Sequence, residues 1–385
     1  DGVEDATVHL QAGAMSALDL TDDQGQFIFN AVPMNTNYSL TPTKDDNPLN
    51  GVSTFDLVLI SKHILGLQPL DSPYKMIAAD ANKSNSVTTF DIVEIRKLIL
   101  GIYSELPNNT SWRFVDKSFV FPQPGNPFNT QFPEIITASG SMPLDPDFVA
   151  IKVGDVNGTV IANAQMSADD RAQSTLLFDV QDRAVKAGEV FEVAFKGAEK
   201  VQGYQFTMNF AGLEVVDVVP GAGMRADNFG VFADAITTSV DNESNEFSVK
   251  FRAAKSGALS ELLTVSSRIT RAEAYSQSNG LMDVAFRFNG QGGAVISGVG
   301  FELYQNQPNP FVNKTLIGFH LPEATEATLT IFDETGRMLF TQKGQYGKGY
   351  NAVAIDRALL NTTGVMYYKL ETATDAATRK MIQTK

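Results

Sequence analysis

Residues 45–67 read DDNPLNGVSTFDLVLISKHILGL, and residues 80–102 read DANKSNSVTTFDIVEIRKLILGI. The two stretches align without a gap at a constant offset of 35 residues, which sets Asp45 on Asp80, Asn47 on Asn82, Ser53 on Thr88, Asp56 on Asp91 and Gly66 on Gly101. So steady an offset marks an internal duplication, in which each copy needs a neighbour to bury its apolar face. In both copies a polar segment rich in Asp and Asn runs directly into an apolar stretch of helical length, LVLISKHILG and IVEIRKLILG. Each stretch ends at a glycine, a usual helix stop.

The polar segments carry oxygen at alternating positions. A calcium loop takes its ligands from positions 1, 3, 5, 7, 9 and 12, the seventh through a backbone carbonyl and the twelfth through a carboxylate. Counting from Asp45 gives Asp45, Asn47, Leu49, Gly51, Ser53 and Asp56; counting from Asp80 gives Asp80, Asn82, Ser84, Ser86, Thr88 and Asp91. Leu49 is the departure, since only its carbonyl can ligate. Position 6, where the loop turns sharply, holds Asn50 and Asn85, and Asn visits the left-handed region more readily than other non-glycine residues. Each loop brings two carboxylates, enough to neutralise one ion. Two calcium ions are therefore expected, bound weakly, on the order of micromolar to millimolar.

With Asp at the twelfth position and only an exit helix after each loop, residues 43–105 resemble the dockerin family, whose paired loop-helix units bind cohesin modules. The resemblance implies the twelve ligands just named. It also implies partner contacts at Thr54, Phe55, Ser61 and Lys62 in the first copy and at Thr89, Phe90, Arg96 and Lys97 in the second.

Composition narrows the rest. A chain of 385 residues, 43% of them hydrophobic, is long enough for several packed domains. A net charge of −14 argues against nucleic acid as a partner, because phosphate binding needs clustered Lys and Arg. The absence of cysteine excludes disulfides, thiolate metal sites and cysteine nucleophiles. No apolar run reaches membrane-spanning length and no signal peptide opens the chain, so Asp1 is not expected to be the start of the gene product.

Residues 1–42 alternate as short strands around His9, Leu10, Phe27 and Phe29, and the TDDQGQFIF turn with the NYSL strand resembles part of a carboxypeptidase regulatory-like sandwich. Residues 106–167 are expected to form a loop-rich connector, because Pro122, Pro124, Pro127 and Pro133 forbid regular helix or central strand; Trp112 is its expected anchor. Within it, GDVNG at 154–158 repeats the opening of a calcium loop without an acid at position 12. Asp155 and Asn157 therefore either donate to a further cation site or close a turn, and the missing acid favours the turn.

Residues 168–297 change to strict period two, in FEVAF, YQFTMNF, FSVKF and MDVAFRF, the pattern of two sheets covering each other. The GYQFTMNFAGLEVVDV segment with FSVKFRAAKSG resembles cohesin-like modules. A glycan-binding face is disfavoured, since the region has no Trp on which a sugar ring would stack. The Gly-rich stretch 289–300 reads as a linker. Residues 298–385 resemble the C-terminal sorting domain of the type IX secretion system, through QNQPNPF at 305–311, DETGR at 333–337, and the segments 349–351, 364–370 and 380–382. The resemblance implies a small antiparallel sandwich, export across the outer membrane of a Gram-negative bacterium, and contact with the type IX machinery.

No nucleophile elbow, zinc-helix or phosphate-loop pattern occurs. The three histidines, His9, His63 and His320, fall in three different expected units. The expected protein is thus mainly β and multidomain, with β-sandwich modules and one small helical calcium unit. Its expected role is a non-enzymatic structural or adhesive one at the cell surface. The alternative is the accessory tail of a larger secreted enzyme or scaffold, using contacts of the dockerin–cohesin type within or between chains, including assembly into a homo-oligomer.

Overall fold

The computed structural model describes residues 2–140, 145–163, 174–278, 280–291 and 293–384. The chain is a mainly β, multidomain protein. It divides into two compact units, residues 1–168 and 169–385. The boundary expected between 167 and 168 lies outside the described residues.

In the first unit, strands β1 (Thr7–Ala12), β2 (Met15–Leu20) and β3 (Asn37–Thr43) form an antiparallel sheet. Strands β1 and β3 alternate buried and half-exposed side chains, which places Val8, Leu10, Ala12, Tyr38 and Leu40 in one core. The helices follow: α1 (Thr54–Ile64), α2 (Pro73–Ala79) and α3 (Thr89–Ile99). Ser53 and Thr88 cap α1 and α3 in capping boxes with Asp56 and Asp91, each pair satisfying amides that would otherwise be orphaned. Gly66 and Gly101 end the same two helices at φ +70° and +72°, a left-handed region that glycine enters without strain. Helix α2 lies between the two copies and escapes the duplication pattern, although Ser72 at its cap and Pro73 at its first position announce it.

Strands β4 (Trp112–Asp116), β5 (Ile136–Ser139) and β6 (Phe148–Lys152) come from the stretch expected to be a connector. β5 extends the N-terminal sheet to the order β2-β1-β3-β5, with Leu40 opposite Ile136, while β4 pairs with β6. Val115, Phe121, Phe132, Ile151, Val153 and Val156 share one core with Leu57, Ile60, Ile77, Ile92, Ile95 and Leu98 of the helices. The expected boundary at 105/106 therefore runs through a packed interior. The reason is physical: the prolines exclude long elements, but they leave the aromatic side chains between them free to cover the helix pair. Phe121 meets Tyr74 and Phe119 edge to face.

In the second unit, the period-two strands join in a single hydrogen-bonded path of antiparallel pairs, with one parallel pairing of Leu281–Gly290 on Ser174–Gln181. Their inward rings, Phe178, Phe195, Phe206, Phe247 and Phe286, contact one another across the interior. The Gly-rich stretch expected as a linker is a hairpin, with Gly293–Gly298 pairing back onto Leu281–Gly290. Beyond it, a three-stranded and a four-stranded antiparallel sheet enclose Ile317, Phe319, Leu329, Ile331, Tyr368 and Met381.

Candidate cation loops

The second loop is built by its own residues. Asp80 Oδ1 accepts the Ser84 amide at 2.8 Å, and its Oδ2 accepts the Asn85 amide at 2.9 Å. Asn82 Oδ1 also accepts the Ser84 amide at 3.0 Å, and the Ser84 hydroxyl reaches the Ser86 carbonyl at 3.3 Å. Across the loop, Asp91 Oδ1 accepts the Asn82 amide at 3.1 Å, while its Oδ2 accepts the amide and hydroxyl of Thr88 at 2.8 and 3.1 Å. Asn85 sits at φ +62°, the left-handed turn expected of the sixth position. All six residues expected from the spacing, Asp80, Asn82, Ser84, Ser86, Thr88 and Asp91, thus lie in one turn of chain.

The first loop repeats this wiring with different residues. Asp56 Oδ2 accepts the amide and hydroxyl of Ser53 at 2.9 and 3.1 Å. Its Oδ1, however, accepts the amides of Val156 and Asn157 at 2.8 and 3.1 Å. Asp155 accepts the amides of Gly158, Thr159 and Val160 at 2.7, 3.3 and 2.8 Å. Asn157 Oδ1 accepts the Thr159 amide at 3.1 Å, and the Thr159 hydroxyl reaches the Gly51 carbonyl at 3.0 Å. Asn50 clamps the two segments together: its side-chain amide donates to the Ile161 carbonyl at 2.7 Å and accepts the Ile161 amide at 3.0 Å.

Asp45, Asn47 and Leu49 are drawn elsewhere. Asp45 Oδ1 accepts the Ser111 amide at 2.7 Å. Asn47 holds a left-handed turn at φ +43°, and Leu49 packs against the helical core. The turn closes around Lys152, whose buried ammonium donates to the carbonyls of Pro48 and Ser111 at 2.8 and 3.3 Å. Burial pushes this lysine down to about 8, against the pull of Asp155, Asp46 and Asp45.

The electrostatics favour a cation at both loops. Asp56, Asp80 and Asp91 are fully buried and Asp155 nearly so. Burial first, and then the charge of Asp155, push Asp56 up to about 8; burial also raises Asp155, Asp80 and Asp91. None of these four carboxylates forms an ion pair with Lys or Arg among the described residues, although the charges of Lys152 and Arg113 offset part of the rise at Asp155 and Asp80. Two desolvated carboxylates facing each other are costly unless a positive charge sits with them. Among the described residues no three acidic or histidine side chains converge, so each loop offers two carboxylates with amide, hydroxyl and carbonyl oxygens, a donor set suited to a hard divalent ion.

The eight expected partner contacts separate by exposure. Thr54 and Arg96 are buried, which removes them from any docking surface. The two copies are packed differently, so positions equivalent in sequence are not equivalent in exposure. Phe55, Ser61 and Lys62 are half-exposed, as is Lys97, whose ammonium reaches the Tyr103 hydroxyl at 3.0 Å. Thr89 and Phe90 are exposed, Phe90 to 71%.

Asp155, Asn157 and Thr159 are the residues that in-line counting passes over. The signal for them is the GDVNG opening, and the amides of Val156 and Asn157 within it donate to Asp56.

No family model matches the chain, and no curated protein aligns with it significantly. Among solved structures, similarity is found to the sixth cohesin of scaffoldin B from Acetivibrio cellulolyticus in complex with a mutant Cel5 dockerin. That match has 12% identity and a TM-score of 0.22, covering 32% of this chain and 99% of that one. Dimeric latent PorU from Porphyromonas gingivalis aligns at 11% identity and a TM-score of 0.19, over 62% of this chain and 35% of that one. The human OSCAR ligand-binding domain aligns at 10% identity and a TM-score of 0.16, over 53% of this chain and 97% of that one. TM-scores at this level establish no shared fold. No helix among the described residues is long and apolar enough to cross a membrane.

Proposed function

We propose that the chain is a secreted, non-enzymatic structural or adhesive module of a cell surface, stiffened by two calcium ions and exported by the type IX route. The observation that carries this reading is the pair of buried carboxylates at each loop, surrounded by oxygen donors and without an ion-pairing Lys or Arg. Asp80, Asn82, Ser84, the Ser86 carbonyl, Thr88 and Asp91 are the residues that would hold an ion at the second loop, and Asp56 with Ser53 belongs to the first. Calcium bound there supplies charge neutralisation and cross-linking of oxygens, not a reaction. Its free energy of binding adds to folding, because an unfolded chain offers no such cage.

The export route rests on the resemblance of residues 298–385 to the type IX sorting domain, and the motif residues that carry the resemblance have structural roles. The Asn306 side chain, buried, donates to the Pro308 carbonyl and the Thr315 hydroxyl at 3.1 and 2.9 Å, and Phe311 fills the core. Asp333 closes the DETGR turn by accepting the amides of Thr335 and Arg337 at 2.9 and 3.0 Å.

Thermal unfolding in calcium and in excess chelator tests the reading. Calcium at 100 times its dissociation constant is expected to stabilise the first unit by about 2.7 kcal/mol per site and to leave the second unit unchanged. Identical melting curves in the two conditions would overturn it.

A second reading, assembly through a contact of the dockerin–cohesin type, is favoured by the exposure of Phe90, Leu65 and Leu67 on the helical unit. It calls for a calcium-dependent increase in mass by sedimentation that Phe90→Ser removes; a monomer under all conditions counts against self-assembly.

A further inference from the structure

The loop around Asp56 and the loop around Asp91 share a hydrogen-bond plan. In the second loop the amides of the fifth and sixth residues bind the carboxylate of the first, and the fifth hydroxyl binds the seventh carbonyl. In addition, the third amide binds the carboxylate of the twelfth. The same bonds recur around Asp56 when residues 155–160 take positions 1 to 6 and residues 51–56 take positions 7 to 12. Thr159 and Val160 donate to Asp155, the Thr159 hydroxyl to the Gly51 carbonyl, and Asn157 to Asp56.

We propose that the first cation loop is split, its ligands being Asp155, Asn157, Thr159, the Gly51 carbonyl, Ser53 and Asp56. This rests on the calcium reading above and assigns the residues of one of its two sites. Gly51 supplies an observation independent of the hydrogen bonds. A Cβ there would lie 2.6 Å from the backbone of Val160 and 2.7 Å from Asp155 Oδ2, so the seam between the two segments closes only around a glycine.

The two sites then differ in what they do. The second is local and orders a single turn of chain. The first joins segments about 100 positions apart, and an ion held there ties the end of the first unit to the start of its first helix. The segment 45–49, despite its Asp-x-Asn opening, is a structural turn around Lys152.

The test is calcium titration of the full chain by calorimetry, with single-residue variants. The wild-type chain is expected to bind two ions. Asn157→Ala and Thr159→Val, both at solvent-accessible positions, should each weaken one site at least tenfold and leave the other unaltered; Asp155→Asn should do the same. Asp45→Asn and Asn47→Ala should leave both affinities within about twofold. Hydrogen exchange gives a second readout: calcium should protect the Val156 and Asn157 amides in the wild-type chain and not in Thr159→Val. Loss of a site in Asp45→Asn, with Asn157→Ala and Thr159→Val retaining two, would overturn the split loop and leave the calcium reading intact. A wild-type chain that binds no calcium would overturn both.

Discussion

The carboxylate of Asp56 accepts the amide hydrogen of Val156 at 2.8 Å, a bond between positions 100 apart in the chain. It is made inside a core where Val156 and Leu57 are both buried. The first helix and the end of the first unit are thereby one cooperative structure, and perturbing either segment should be felt by the other.

Two glycines with the same backbone angle should respond differently to a methyl group. Gly51 and Gly66 lie at φ +77° and +70°, but a Cβ on Gly51 would strike the Val160 backbone, whereas one on Gly66 meets nothing within 4 Å. Gly66→Ala should cost about 1 kcal/mol, the left-handed penalty alone. Gly51→Ala should cost about 3 kcal/mol or more, because it adds a backbone clash, and should undock residues 155–161. Urea unfolding of the first unit measures both.

The pH dependence of the first unit should carry the signature of Lys152. Its folded-state value is depressed to about 8, below an unfolded value near 10.4. The unfolded chain therefore binds more protons between these values, and stability from this group rises with pH across that window. Below about 8 both states are protonated and the group adds no slope. Lys152→Met should flatten the rise between pH 8 and 10 in a denaturant titration series; an unaltered slope would show that the lysine is not the group responsible.

In the second unit, Phe206 touches the rings of Phe178, Tyr204, Phe247 and Phe286. Phe206→Ala should cost about 3–5 kcal/mol, the usual range for removing a fully buried ring. Because the chain divides into two compact units, the loss should appear in one thermal transition and spare that of the first unit.

Thr88 serves both as helix cap and as ninth loop position, through its hydroxyl contacts with the Phe90 amide and Asp91. Thr88→Ala should lower stability by about 1 kcal/mol even in chelator, the value of a lost cap. In calcium the loss should be larger on the proposed reading, in which Thr88 is also a ligand. Comparing the two conditions by thermal unfolding separates the roles; equal losses would mean that Thr88 is a cap alone.

Much of the architecture was legible in the residues. Alternation in FEVAF and YQFTMNF placed the phenylalanines of the second unit inward, where they are found. The apolar stretches after Asp56 and Asp91 and the stops at Gly66 and Gly101 located α1 and α3, and the structure adds the caps at Ser53 and Thr88. Short-range chemistry of this kind is read directly, because caps, turns and strand faces depend on neighbours within a few residues. Helix α2 escaped because it is short and belongs to neither copy. The prolines of 106–163 masked a contribution to the core that depends on distant aromatic contacts.

Local spacing along the chain fixes the duplicated loop-helix plan, the self-contained second loop from Asp80 to Asp91 and the inward faces of the strands. Which aspartate meets Asp56 is settled by long-range packing. The offset of 35 residues points to Asp45, but Asp45 is held by Ser111 beside the buried Lys152, and Asp155 occupies the place. The choice between two chemically equal carboxylates depends on which segment buries its apolar residues against the helices. Val156 is fully enclosed in the helical core, whereas Leu49 of the 45–49 segment is only partly buried against it, and the hydrogen bonds follow the packing.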